Sequence, residues 1–194
     1  MITAFTRIVI VLSFVRRALA TQELPPNQVI IGLSLILTFM VMAPTFRDIK
    51  RDALDPYTSE DTKVQITQGE AFRRTVSHFR TFMFKQTRIK DLKLFLDIGK
   101  RNGNIQGEIN SEDDVPTEIL IPSFVISELR RAFIMGFALF LPFMIIDLVV
   151  ASTLISMGML VLPPILISLP FKILLFILVD GWHLVIGSLI QSFY

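Results

Sequence analysis

The chain has 194 residues, 52% of them hydrophobic, with a mean hydropathy of +0.61, which marks a membrane-associated chain rather than an average soluble domain. Nineteen basic and 17 acidic residues leave a formal net charge of +2, so no global field argues for binding nucleic acid or another polyanion. The absence of cysteine excludes disulfides, thiolate metal sites and cysteine nucleophiles, and two histidines are too few to suggest a metal cluster or a metal cofactor.

In residues 1–22, Phe5, Ile8, Leu12, Val15 and Leu19 alternate at spacings of three and four, which predicts a helix with one apolar seam. Ala18 and Ala20 also resemble a small-residue cleavage site, but Arg16 and Arg17 interrupt the usual order of a signal peptide. Pro25 and Pro26 end this helix, because proline lacks the amide hydrogen and disfavours a helical residue before it. Residues 29–46 then form an uncharged run of 18, roughly 27 Å at about 1.5 Å per residue, against a bilayer core of about 30 Å. Such a run either spans with help from its flanks or lies buried in a larger membrane-bound assembly, the reading favoured here.

From Arg47 to Glu118 the chain turns polar, with 13 basic and 13 acidic residues. Thr67 and Glu70 have the spacing of a capping box. Phe72, Val76, Phe79 and Met83, followed by Ile89, Leu92 and Leu96, predict one long or two short amphipathic helices. Residues 72–101 carry nine basic and two acidic residues, and residues 108–118 carry five acidic and none basic. The plain reading is a solvated helix face beside an acidic loop; the sharper one is docking against neighbouring copies or anionic headgroups. Glycines and asparagines mark 99–114 as a loop without a phosphate-binding fingerprint.

Pro116 and Pro122 frame the return to apolar sequence. SFVISELRRAFIMGFALFLPFMII begins a helix that Pro142 should kink. Asp147 and Lys172 then bracket 24 residues without formal charge, interrupted by methionines, small residues and Pro163-Pro164. These prolines predict a hairpin turn, with the second arm starting near Ser168, Pro170 in its first turn and Trp182 as an interfacial anchor. Non-helical backbone at membrane depth is tolerated only where protein or a water-filled cavity covers it. This segment is therefore expected to line an assembled pore, with Met157, Gly158 and Met159 near its narrowest point.

A series of motifs now carries a resemblance: AFTRIVIVLSFVRRAL, PPNQVIIGL, PSFVISELRRAF, FLPFMIIDLVVAS, SMGMLVLPP, ISLPFK and VDGWHLVIGSLIQSF. Together they cover most of the chain, which resembles the FliP/SctR family of type III secretion export-gate proteins, in its flagellar branch. The resemblance implies an all-α, membrane-associated fold of kinked helical hairpins with a polar, periplasmic helical segment. It further implies a non-enzymatic gate subunit in the inner membrane and flagellar basal body. Such a subunit assembles as a pentamer with FliQ and FliR, among other export-apparatus and basal-body proteins, and unfolded export substrates pass through. The expected organisation is N-terminal apolar helices at 1–46, the polar region at 47–118 and the pore-forming hairpin at 119–194.

Residue by residue, Met159 matches the family's methionine gasket, where relatives often have three consecutive methionines and this chain has Met159, Leu160 and Val161. Met157 is added from its place beside Gly158. Glu128 and Lys172 match positions that pair across neighbouring ring subunits. Relatives usually carry a cleaved leader and a further apolar segment before AFTRI; neither stands before Met1, so a partly represented chain is expected.

The intramembrane ionisable residues suggest a second class of function, a proton-coupled secondary transporter relaying through Asp147 and Asp180 with His183, though capping or pairing accounts for both carboxylates. A third is a docking module working through residues 47–118. Hydrolysis finds no support in the spacing of serine, histidine and acid.

Overall fold

The computed structural model describes residues 1–21, 25–59, 61, 65–103, 111–159 and 161–194, and among them the chain is helical and without strands. The predicted all-α class therefore holds. In chain order the helices are α1 (Phe5–Ala18), α2 (Asn27–Ile49), a π-helical turn (Lys50–Leu54), α3 (Asp55–Thr58), α4 (Gln68–Gln86), α5 (Ile89–Arg101), α6 (Thr117–Ser156), α7 (Pro164–Leu178) and α8 (Gly181–Gln191). The helical stretches Asn27–Thr58 and Thr117–Ser156 are long and apolar enough to cross a membrane. α7 and α8 qualify only as one span broken by a 64° bend.

Helix boundaries differ from the sequence-based expectations in instructive ways. α1 stops before the Pro25-Pro26 pair, because Ala20 already takes a left-handed φ of 56°. α2 does not end with the uncharged run at Phe46 but continues through Arg47 into the π turn. Within this chain one face of α2 is buried, with Ile30, Ser34, Leu37, Val41 and Met42, while Val29, Ile36, Phe39 and Met40 are exposed. The amphipathic stretch is two helices, broken at Thr87-Arg88. α6 starts at Thr117, six residues ahead of the expected start at Ser123, and Pro142 does not divide it. α7 starts at Pro164 rather than near Ser168, since proline at the first helical position gives up only a donor that would be unpaired anyway.

The chain forms two compact units. The first comprises Met1–Thr6 and Thr38–Arg130. Its core gathers Met83, Val115, Leu120 and Phe124, with Phe82, Leu92 and Leu96 packed against them. Thr67 caps α4 by accepting the Glu70 amide at 3.3 Å, one half of the predicted capping box; the Glu70 carboxylate turns instead to Arg73 and Arg74. Arg80 secures the loop before α6, donating to Thr117 Oγ1 at 2.6 Å and to the Val115 carbonyl at 2.8 Å. At the π turn, Pro56 has no amide hydrogen to offer the Asp52 carbonyl, and the Arg74 guanidinium donates to that oxygen at 3.0 Å.

The second unit comprises Arg7–Leu37 and Arg131–Tyr194. α1 packs closely on α6 through Phe14: a Cβ on Gly136 would lie 2.5 Å from the Phe14 ring, and Phe14 meets Phe133 edge-on at 5.4 Å. Arg7, fully buried, donates to the Ser192 carbonyl at 2.8 Å and to its hydroxyl at 2.9 Å. It also lies 3.8 Å above the Phe193 ring. A cation here meets the negative end of the α8 dipole, which favours it.

Candidate functional site at the tip of the apolar hairpin

The α6–α7 hairpin belongs wholly to the second unit from Arg131 onward. α6 ends in a Schellman turn: the Gly158 amide donates to the Ile155 carbonyl and the Met159 amide to the Leu154 carbonyl, both at 3.0 Å. That turn needs a left-handed residue, and Gly158 supplies a φ of 76°. Gly158 thus has a local reason independent of any pore. Pro163, in an extended conformation, stands at the N-cap of α7, and Pro164 opens the helix.

The turn puts Met157 and Met159 on the outside of the chain, 69% and 45% exposed, with Val161 almost fully exposed beside them. Met40 and Met144 are exposed to a similar degree on α2 and α6, whereas Met42 and Met83 are buried core residues. Flexible, polarizable side chains presented to the exterior form a deformable apolar surface rather than core filler. Leu160 lies outside the described residues.

Below the tip the hairpin is clamped by ions. Lys172 Nζ donates to Asp147 Oδ2 at 2.6 Å, and Ser168 Oγ donates to Asp147 Oδ1 at 2.6 Å. The Lys172 side chain is 2% exposed and that of Asp147 39%. A lone cation in so apolar a setting would be costly, and the pairing across α6 and α7 removes that cost while tying the two arms together. Ser168 was missed by sequence reasoning. The pairing of the two bracketing ions with each other was missed too, although their being the two formal charges that bound an uncharged segment was the available signal.

Glu128, fully buried, belongs to the first unit, and Lys172 to the second. Asp180 sits at the N-cap of α8 in a left-handed conformation, φ 50°, and its side chain makes no capping hydrogen bond, so the expectation of capping fails there. Asp147 lies inside α6 and does not cap a helix either. Next to Asp180, a Cβ on Gly181 would lie 2.3 Å from the Phe176 ring, and Phe176 meets Trp182 edge-on at 5.4 Å. That close approach sets the elbow between α7 and α8. Among the described residues no cluster of three metal-ligating side chains occurs.

The FliP family's sequence profile matches residues 1–189. The chain belongs to the FliP family. Over 193 residues it is 54% identical to the flagellar biosynthetic protein FliP of Bacillus subtilis, covering all of this chain and 83% of that protein. Its likeness to the flagellar biosynthetic protein FliP of Pectobacterium carotovorum is 50% over 194 residues, all of this chain and 72% of the relative. FliP of Aquifex aeolicus is 48% identical over 193 residues, with 78% of its length covered. In this FliP family member the exposed methionine tip lies in SMGMLVLPP, and the ion clamp joins FLPFMIIDLVVAS to ISLPFK.

Proposed function

We propose that this chain is the pore-forming subunit of the flagellar type III protein export gate in the bacterial inner membrane, assembled in the basal body with much of its mass at the periplasmic face. Copies form a ring, a pentamer by analogy with the family, together with FliQ and FliR. Residues 119–194 supply the pore region, and unfolded flagellar proteins pass along the shared axis. The role is non-enzymatic: it requires a closable opening, not a reacting group.

The observation that carries this reading is the exposed, methionine-bearing turn held on a hairpin whose arms are clamped by Lys172, Asp147 and Ser168. A ring of such turns closes by soft contact and yields to an arriving polypeptide. The resemblance adds a pair between Glu128 and Lys172 of neighbouring copies. Lys172 has three donors and one is spent on Asp147, so a second carboxylate is chemically compatible with the clamp. The relay through Asp147 and Asp180 is less favoured, because the Asp147 carboxylate is held at both oxygens.

The test replaces Met157 and Met159 together by alanine in the assembled gate and measures its closed-state conductance and the flagellar proteins released into the medium. Increased leakage with assembly intact is expected. An unchanged closed-state conductance would remove the methionine turn from the barrier.

A further inference from the structure

α4 grips the π turn with two side chains one helical turn apart. Arg74 donates to the Asp52 carbonyl at 3.0 Å, and His78 places Nε2 3.3 Å from Oδ2 of the same aspartate. Next to His78, Phe79 meets Phe46 of α2 edge-on at 6.4 Å. All of these residues belong to the first unit, so the joint sets how the chain passes from α2 into the polar helices. A π turn is a helical form that recurs at functional sites.

The charges of the elements packed here are unevenly placed. Asp48, Asp52 and Glu70 are half-buried, whereas Arg47, Lys50 and Arg51 at the end of α2 and in the π turn, Asp55 and Tyr57 of α3 and Arg73 of α4 are exposed. Arg51 folds back on Asp52 at 2.8 Å and on Asp48 at 3.3 Å. On α4, Arg73 and Arg74 both pair with Glu70, and Arg80 is turned to the loop before α6. His78, with its side chain 26% exposed, is therefore the α4 base set against the Asp52 carboxylate at ion-pair distance. Histidine is the side chain whose charge ordinarily changes between pH 5 and 8.

We infer that His78 is a pH-sensitive latch: protonation of its ring locks α4 onto the π turn through Asp52, and loss of that proton loosens the joint between α2 and the polar helices. A neutral ring offers the carboxylate no more than one N–H, whereas the imidazolium adds a full charge to a half-buried anion. A cation that gains a partner on folding contributes stability while it is protonated and loses it as pH rises through its titration. The joint is thus tight in mild acid and looser in mild alkali. Carboxylates ordinarily titrate below this window, which leaves it to histidine. The inference goes beyond the gate reading and needs none of its assembly.

The chain has two histidines, and His183 lies in the second unit, so His183→Gln leaves His78 as the one imidazole to titrate. In that background the full chain in detergent is taken to about pH 8 and about pH 5.5, and amide hydrogen exchange is measured and corrected for its intrinsic pH dependence. Peptides covering 50–58 and 68–78 are expected to gain about threefold protection in acid, with α8 unchanged. His78→Gln should abolish the gain, and so should Asp52→Asn, which keeps the imidazole and removes its counter-charge. An acid gain that persists in either variant overturns the latch, as does its absence from the parent chain. Circular dichroism reports folding separately: should His78→Gln lose helix content, Asp52→Asn decides alone, and a retained acid gain there overturns the inference.

Discussion

Lys172 is nearly devoid of solvent and its counter-ion is not, and this inequality makes the clamp's energetics asymmetric. Asp147→Leu strands a buried ammonium and is expected to destabilise the chain by about 3–5 kcal/mol. Lys172→Leu leaves a carboxylate that reaches solvent and should cost clearly less. The double replacement should recover much of the loss, since two apolar residues leave no uncompensated charge; denaturant unfolding in detergent of all three variants checks the order. A second residue-scale prediction concerns Glu70, whose carboxyl is held below the usual range by the hydrogen bond from Arg74 and by the nearby Arg73. A depressed value means the stabilisation is present above the ordinary glutamate range and lost as pH falls through the depressed one. The gap in melting temperature between wild type and Glu70→Gln should therefore be full near neutrality and close in acid. The Thr67 cap could be read from sequence because it depends on neighbours in the chain, whereas Asp147 stands 25 residues from Lys172 and 21 from Ser168, and only the fold brings the three together.

At the scale of helices, apolar periodicity located the amphipathic and membrane-length segments, and the errors fell at proline. The sequence reading took Pro122, Pro163 and Pro164 as borders outside helices, while α6 runs through the first and α7 begins on the last. Close helix contacts were not legible either, because Gly136 looks like any small residue in an apolar run until Phe14 lies against it. Gly136→Ala brings a methyl to 2.5 Å from that ring and is expected to cost about 1–3 kcal/mol. Phe14→Leu in the same chain should return part of this, a coupling read from a double-mutant cycle of thermal unfolding. By the same reasoning Gly181→Ala should disturb the elbow, visible as a changed environment of Trp182 fluorescence.

For the whole molecule, the outward apolar surface is the dominant fact. Phe133, Phe137, Ile145, Leu148 and Leu178, with the exposed face of α2, need lipid or other chains around them. Under the gate reading the detergent-extracted complex should have the mass of several copies with their companions; a solitary, well-ordered monomer would remove the basis for a shared axis. The unbroken course of α6 has a related consequence. Pro142 brings no amide hydrogen, so the Ala138 carbonyl loses its usual donor, and both residues face outward in the apolar stretch. In hydrocarbon that oxygen lacks its helical donor, and under the gate reading a hydroxyl or amide of an adjacent copy supplies one. Pro142→Ala should satisfy it internally, raising the melting temperature of the isolated chain while weakening its association with its neighbours.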